Sequence, residues 1–128
     1  MEVNKNENQY FRVAKEAYGN IVRMKMPIDE AWSSAATNNI TSEESRNKGC
    51  PGSTFIGLCE SGDLRDVKQT KQSDRINYQY AKFAISEWKK YPAITKKEMW
   101  ERVVSKFSKA KNHQGQLDVL KGIWGYLR

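Results

Sequence analysis

Apolar residues in this chain recur every three or four positions, in blocks separated by proline, glycine or polar stretches. A strand would alternate them every two residues, so the spacing dictates amphipathic helices. Tyr10, Val13, Ala14, Ala17, Tyr18, Ile21 and Val22 form one such stripe, predicting a helix over about 8–25 that must stop before Pro27. Gly19 lies inside it and weakens it by about 1 kcal/mol relative to alanine. A second helix follows over about 28–37, with Asp29 and Glu30 favoured in its positive first turn and Ala31, Trp32 and Ala35 facing inward.

Thr41-Ser42-Glu43-Glu44 fits a capping box and predicts a short third helix starting at Thr41. The fourth is expected from Pro51 or Ser53, carrying Phe55, Ile56, Leu58 and Cys59, with Gly62 ending it in the left-handed conformation. Residues 63–73 lack a helical period and read as a connector with a short extended piece at 64–67. A fifth helix over about 74–90 buries Ile76, Tyr80, Phe83, Ala84 and Trp88, and Pro92 closes it. Thr95 and Glu98 make a second capping box, opening a helix through Met99, Trp100, Val103, Val104 and Phe107. The last helix, about 114–127, places Leu117, Leu120, Ile123, Trp124 and Leu127 on its apolar face. The expected fold is therefore all-α, six or seven helices in one domain over residues 1–128.

The two halves resemble each other. Ala14-Lys15-Glu16-Ala17 corresponds to Ala81-Lys82-Phe83-Ala84, Pro27 to Pro92, Trp32 to Trp100, and more weakly Gly57-Leu58 to Gly122-Ile123 and Leu64-Arg65 to Leu127-Arg128. The expectation is two degenerate repeats, about 8–64 and 74–128 with 65–73 between them, packed about a pseudo-twofold axis. Repeats of this kind supply scaffolds and binding surfaces more often than chemistry.

Charge divides unevenly along the chain. Residues 1–64 carry 7 Lys/Arg against 9 Asp/Glu, and residues 65–128 carry 15 against 6, so the net +7 is concentrated in the second half. Such a field attracts polyanions, although lysines also serve simply to solvate helix surfaces. Arg65, Lys68 and Lys71 in the connector, with Lys106, Lys109 and Lys111 before the last helix, are the candidate phosphate contacts, and the repeat would bring the two groups to one face. Lys89-Lys90 and Lys96-Lys97 flank Pro92 at a different corner. Aromatic residues fall mostly on inward stripes, which gives little support for base stacking.

Short helix, glycine turn and second helix over 41–62 also outline a helix-turn-helix, with Ser53 and Thr54 leading the second helix. That helix has no Arg, Asn or Gln to read bases, so a packed helix corner is the competing reading. The run Gly49-Cys50-Pro51-x-Ser53-x-Phe55-x-Gly57-Leu58-Cys59-Glu60-x-Gly62 resembles the signature of a family of small uncharacterised bacterial proteins, and Ala31-Trp32 and Trp124 fit it too. The resemblance implies a bacterial, cytoplasmic protein and no mechanism.

Chemistry finds little support in the residues. Cys50 and Cys59 lie nine apart, His113 is the only histidine, and no phosphate loop, dinucleotide fingerprint or zinc-protease motif is present. Both cysteines are expected as reduced thiols, and no metal or cofactor is expected. No stretch reaches the roughly 20 apolar residues of a membrane span, and Met1–Asn8 is too polar for a secretory signal, which makes the cytoplasm the expected location. These readings favour a non-catalytic module that binds nucleic acid through its basic half. The alternative is a protein–protein interaction or scaffold domain, self-pairing of an acidic and a basic half included.

Overall fold

A computed structural model describes the backbone of residues 5–128 and the side chains from Gln9 onward. Seven α-helices follow one another: α1 Lys5–Val22, α2 Ile28–Asn39, α3 Glu43–Arg46, α4 Gly49–Glu60, α5 Ile76–Lys90, α6 Lys96–Lys106 and α7 Gln116–Ile123. A single 3-10 turn, Trp124–Tyr126, completes the last of them. The all-α expectation holds, and the only β pairing among the described residues is an isolated antiparallel bridge between Leu64 and Leu127.

Side-chain caps start α3 and α6. Thr95 and Glu98 form the expected box: the Glu98 N–H donates to Thr95 Oγ1 and the Thr95 N–H donates to Glu98 Oε1, both at 3.1 Å. The other box is corrected, because Ser42 and not Thr41 is the cap of α3, its hydroxyl accepting from the Ser45 N–H at 3.3 Å. Two adjacent hydroxyl residues compete for this role, and the buried, extended Ile40 ahead of them sets the register in favour of the second. Gly62 ends α4 at φ +74°, in the left-handed region where a side chain is strained, and a Cβ there would lie 2.8 Å from Gln69 Cβ.

The helix α4 is the centre of the molecule. Pro51, Gly52, Thr54, Phe55, Gly57, Leu58 and Cys59 are all buried, and α2, α5 and α7 pack against it. Trp32 of α2 lies against Phe55, ring centroids 5.3 Å apart, and a Cβ at Gly52 would come within 2.9 Å of Trp32 Nε1. Around this centre α1 packs on α2 and α7, while α5 packs on α4, α6 and α7. One continuous apolar core results, running from Tyr10 to Ile123.

Two glycines allow the tightest helix contacts. A Cβ at Gly57 would lie 2.7 Å from Tyr78 Cβ, and one at Gly122 would lie 2.4 Å from the Phe11 carbonyl oxygen and 3.2 Å from Ala14 Cβ. Together with Tyr10 against Gly115 and Tyr18 against Tyr126, these contacts show that α1 and α7 run parallel.

The segment after α7 folds back on the connector. The Arg65 N–H donates to the Tyr126 carbonyl at 2.8 Å and the Arg128 N–H to the Asp63 carbonyl at 2.9 Å. Arg128 Nε donates to the Gly62 carbonyl at 2.7 Å, and the Arg65 guanidinium donates to the Gly125 carbonyl. Leu64 is fully buried beneath this pairing, so the extended piece expected at 64–67 is shaped by the 124–128 segment and has no sheet to join.

Candidate nucleic-acid interface

Ser53 and Thr54 do not front a groove. Since α4 begins at Gly49, four residues earlier than the later expected start, both lie inside the helix, and the N–H of Ser53 faces the carbonyl of Gly49. Thr54 is fully buried and its hydroxyl donates to the Cys50 carbonyl at 2.9 Å. Ser53 is half-buried and accepts from Arg75 at 3.4 Å. Gly49 is the one exposed position of α4, and Cys50, Ser53, Ile56 and Glu60 are half-buried, a burial that favours the packed-corner reading.

The basic residues divide into paired and open sets. Lys71 stands 3.7 Å from Glu60, Arg75 donates to the same carboxylate at 3.1 Å, and Lys82 reaches Asp63 at 3.2 Å. Burial pushes the Glu60 carboxyl up, but the Arg75 guanidinium, helped by Lys71, outweighs it and holds the group below its ordinary range. Lys90 and Arg102 share Glu87, and Lys96 pairs with the buried Asp118. Lys68, Lys106, Lys109 and Lys111 are exposed, and none has a carboxylate within 4 Å among the described residues.

The connector and the 106–111 loop are held on different flanks of α5. Asp63 binds Tyr78 and Lys82, whereas Phe107 packs on Tyr80 and Phe83. At about 100° per residue those two pairs of anchors point roughly 150° apart around the helix. The expectation that both lysine groups share one face is corrected on this ground. Lys106 also borders a shallow groove of about 510 Å³ with Glu87, Glu98 and Glu101, which offset its charge.

Of the groups screened for chemistry, His113 has a structural contact and Cys59 is enclosed in the core. Cys59 is buried, and desolvation with the neighbouring Glu60 drives its thiol far above the ordinary range, away from the reactive thiolate. Cys50 is half-buried, and both cysteines are free thiols. His113 packs edge-on to Trp100 at 5.2 Å, and its Nε2 accepts the Leu117 N–H at 3.0 Å, which serves the first turn of α7. Among the described residues no three His, Cys, Asp or Glu side chains gather as metal ligands.

A site that the sequence did not disclose lies at the Pro92 corner. Phe11, Trp88, Pro92, Lys121 and Trp124 enclose a cleft of about 410 Å³. Trp124 is 36% exposed and stands edge-on to the buried Trp88, centroids 6.2 Å apart. Lys121 Nζ lies over the Trp88 ring at 5.2 Å, and Lys15 Nζ over the Phe11 ring at 5.6 Å. Tyr91, next to Pro92, is 51% exposed. The apolar stripe of α7 had placed Trp124 inward, but the helix ends at Ile123 and tightens into a 3-10 turn, which swings the indole outward.

No helix of the described residues is long and apolar enough to cross a membrane. Comparison with curated proteins and with solved structures finds no match. A family model does match, over residues 7–126, and the stretch it covers takes in α4, the Pro92 corner and both lysine groups. The chain belongs to DUF6979, a family of unknown function.

Proposed function

We propose that this protein is a non-catalytic binding module whose ligand is nucleic acid, engaged through the basic second half. The observation that carries the reading is that several exposed lysines have no carboxylate partner among the described residues, Lys68, Lys106, Lys109 and Lys111 among them, within a half-chain of net charge +9. Such ammonium groups meet phosphates and release counterions without reading sequence. Arg65 and Lys71, on the connector flank with Lys68, are secondary contacts, since each already has a partner. With α4 enclosed, duplex readout through a recognition helix is not part of this proposal.

The two-repeat reading belongs to the same proposal, because paired units build an extended surface from one plan. It is supported by the glycine contacts: Tyr78 follows Phe11 by 67 residues, the offset at which Ala81 follows Ala14, and each meets the glycine of the other half, Tyr78 on Gly57 and Phe11 on Gly122. Leu64 and Leu127, matched in sequence, are also the two partners of the antiparallel bridge.

The test is binding of the purified protein to labelled duplex DNA, single-stranded DNA and RNA across a salt series. The expected result is affinity that falls steeply with salt and drops when Lys106, Lys109 and Lys111 are changed together to Ala. Absence of binding at low salt overturns the reading. It would direct attention to a protein partner, for which the exposed Tyr91 and Trp124 are the supporting observation.

A further inference from the structure

The cleft at the Pro92 corner combines features that select one kind of ligand. Among the described residues its lining is three aromatic rings, a proline and a lysine, with no carboxylate. About 410 Å³ falls within the ordinary range of small-ligand clefts, and a single planar ring system fits with room to spare. The cations that cover two of the rings, Lys121 on Trp88 and Lys15 on Phe11, repel a second cation. A methylated ammonium or an arginine side chain is therefore disfavoured, although aromatic cages often take them. An electron-rich planar group bearing a negative charge satisfies both halves of the lining.

We propose that this cleft receives one unpaired nucleobase of a single-stranded nucleic acid, stacked on Trp124, with an adjoining phosphate on Lys121. The proposal rests on the nucleic-acid reading above and adds to it a preference for unpaired bases. Trp124 provides the platform because it alone of the four tryptophans is exposed, the other three being at most 9% accessible. Lys121 sits three residues earlier, in the last turn of α7, and is an exposed residue with no carboxylate within 4 Å among the described residues. Stacking tolerates any base, since each has a π face, so the site favours single strands without choosing a sequence.

The experiment is a titration followed by tryptophan fluorescence, with four probes: an eight-nucleotide single-stranded DNA, its blunt duplex, adenosine monophosphate and ribose 5-phosphate. The single strand should quench the emission and bind more tightly than the duplex. Trp124→Ala should weaken it about tenfold, Trp124→Phe should restore most of that loss, and Lys121→Gln should flatten the salt dependence by about one phosphate. Equal affinity for duplex and single strand, or no effect of Trp124→Ala while the Lys106, Lys109 and Lys111 substitutions still weaken binding, overturns the cleft and leaves the basic-surface reading intact. Adenosine monophosphate binding as tightly as the strand overturns the strand as ligand and makes the free nucleotide the occupant. Equal binding of ribose 5-phosphate removes the base from the interaction altogether. If no nucleic acid binds at low salt, both readings fall together. Thermal melts of the variants confirm that folding is retained.

Discussion

Tyr18 and Tyr126 stack with ring centroids 4.1 Å apart and planes within 8°, while the Tyr18 hydroxyl donates to the Arg65 carbonyl at 2.7 Å. One residue of α1 thereby holds both segments of the 62–67 and 124–128 pairing. Tyr18→Phe keeps the stack and removes only the hydrogen bond, and is expected to cost about 1 kcal/mol. Tyr126→Ala removes the ring itself, and with it about 1 kcal/mol of stacking in addition to buried area. In urea melts Tyr126→Ala should be the more destabilised of the two. The reverse order would mean that the hydroxyl carries the contact.

Gly57 and Gly122 are helical positions where one added methyl group is expected to matter. Gly122→Ala drives a Cβ against the Phe11 carbonyl oxygen, a backbone atom that cannot rotate away. The substitution should destabilise the fold by about 3 kcal/mol, at the upper end of ordinary overpacking. Gly57→Ala meets the Tyr78 side chain and should cost less, about 2 kcal/mol. Thermal denaturation compares them directly, and a melting point unchanged by Gly122→Ala would contradict the parallel packing of α1 on α7.

Lys96 and Lys82 make ion pairs of different worth. The Asp118 carboxylate facing Lys96 is 6% exposed, whereas the Lys82 pair lies at the surface with Lys82 half exposed. Lys96→Met should cost about 3 kcal/mol, because a buried carboxylate loses its ammonium. Lys82→Met should cost under about 1 kcal/mol. Denaturant midpoints at low and high salt should also separate them, since only the Lys82 pair is open to screening.

Acid should unfold this protein partly through Glu60 and Glu98. Glu60 is lowered against the desolvation of its site, by Arg75 and Lys71, and Glu98 is lowered by the Thr95 N–H and hydroxyl. A carboxyl held below its unfolded value adds stability that is present above that value, 4.5, and disappears as pH falls through the folded one. The double variant Glu60→Gln, Glu98→Gln should therefore show a shallower loss of stability below pH 4.5 than the parent. Melting temperatures measured from pH 6 downward would check this, and parallel curves would remove both carboxylates from the account.

Helix content was legible because it rests on local signals. The stripe from Tyr10 to Val22 and the Thr95–Glu98 box each act within one or two turns, and both carry over into the structure. What periodicity could not disclose depends on neighbours distant in sequence. Ile76 and Val104 fit their stripes yet are 40% and 39% exposed among the described residues. The central burial of α4 was signalled only by its small residues, since Gly52 and Gly57 admit Trp32 and Tyr78 at close range. The Pro92 cleft needed Phe11 and Trp124 to come together from opposite ends of the described chain, and no spacing rule spans that distance.

The two glycine contacts also bear on the order in which the molecule is made. When synthesis has reached residue 73, the Gly57 face of α4 still waits for Tyr78, and the Phe11 face of α1 waits for Gly122. A nascent chain at that stage holds apolar helix faces that only later residues cover, and the clasp at 124–128 forms after both faces have their partners. Neither half is then a self-sufficient folding unit. Fragments covering residues 5–73 and 74–128 should each be poorly folded alone and recover helical structure on mixing, so that the natural breaking point of this chain is at neither of its apparent repeats.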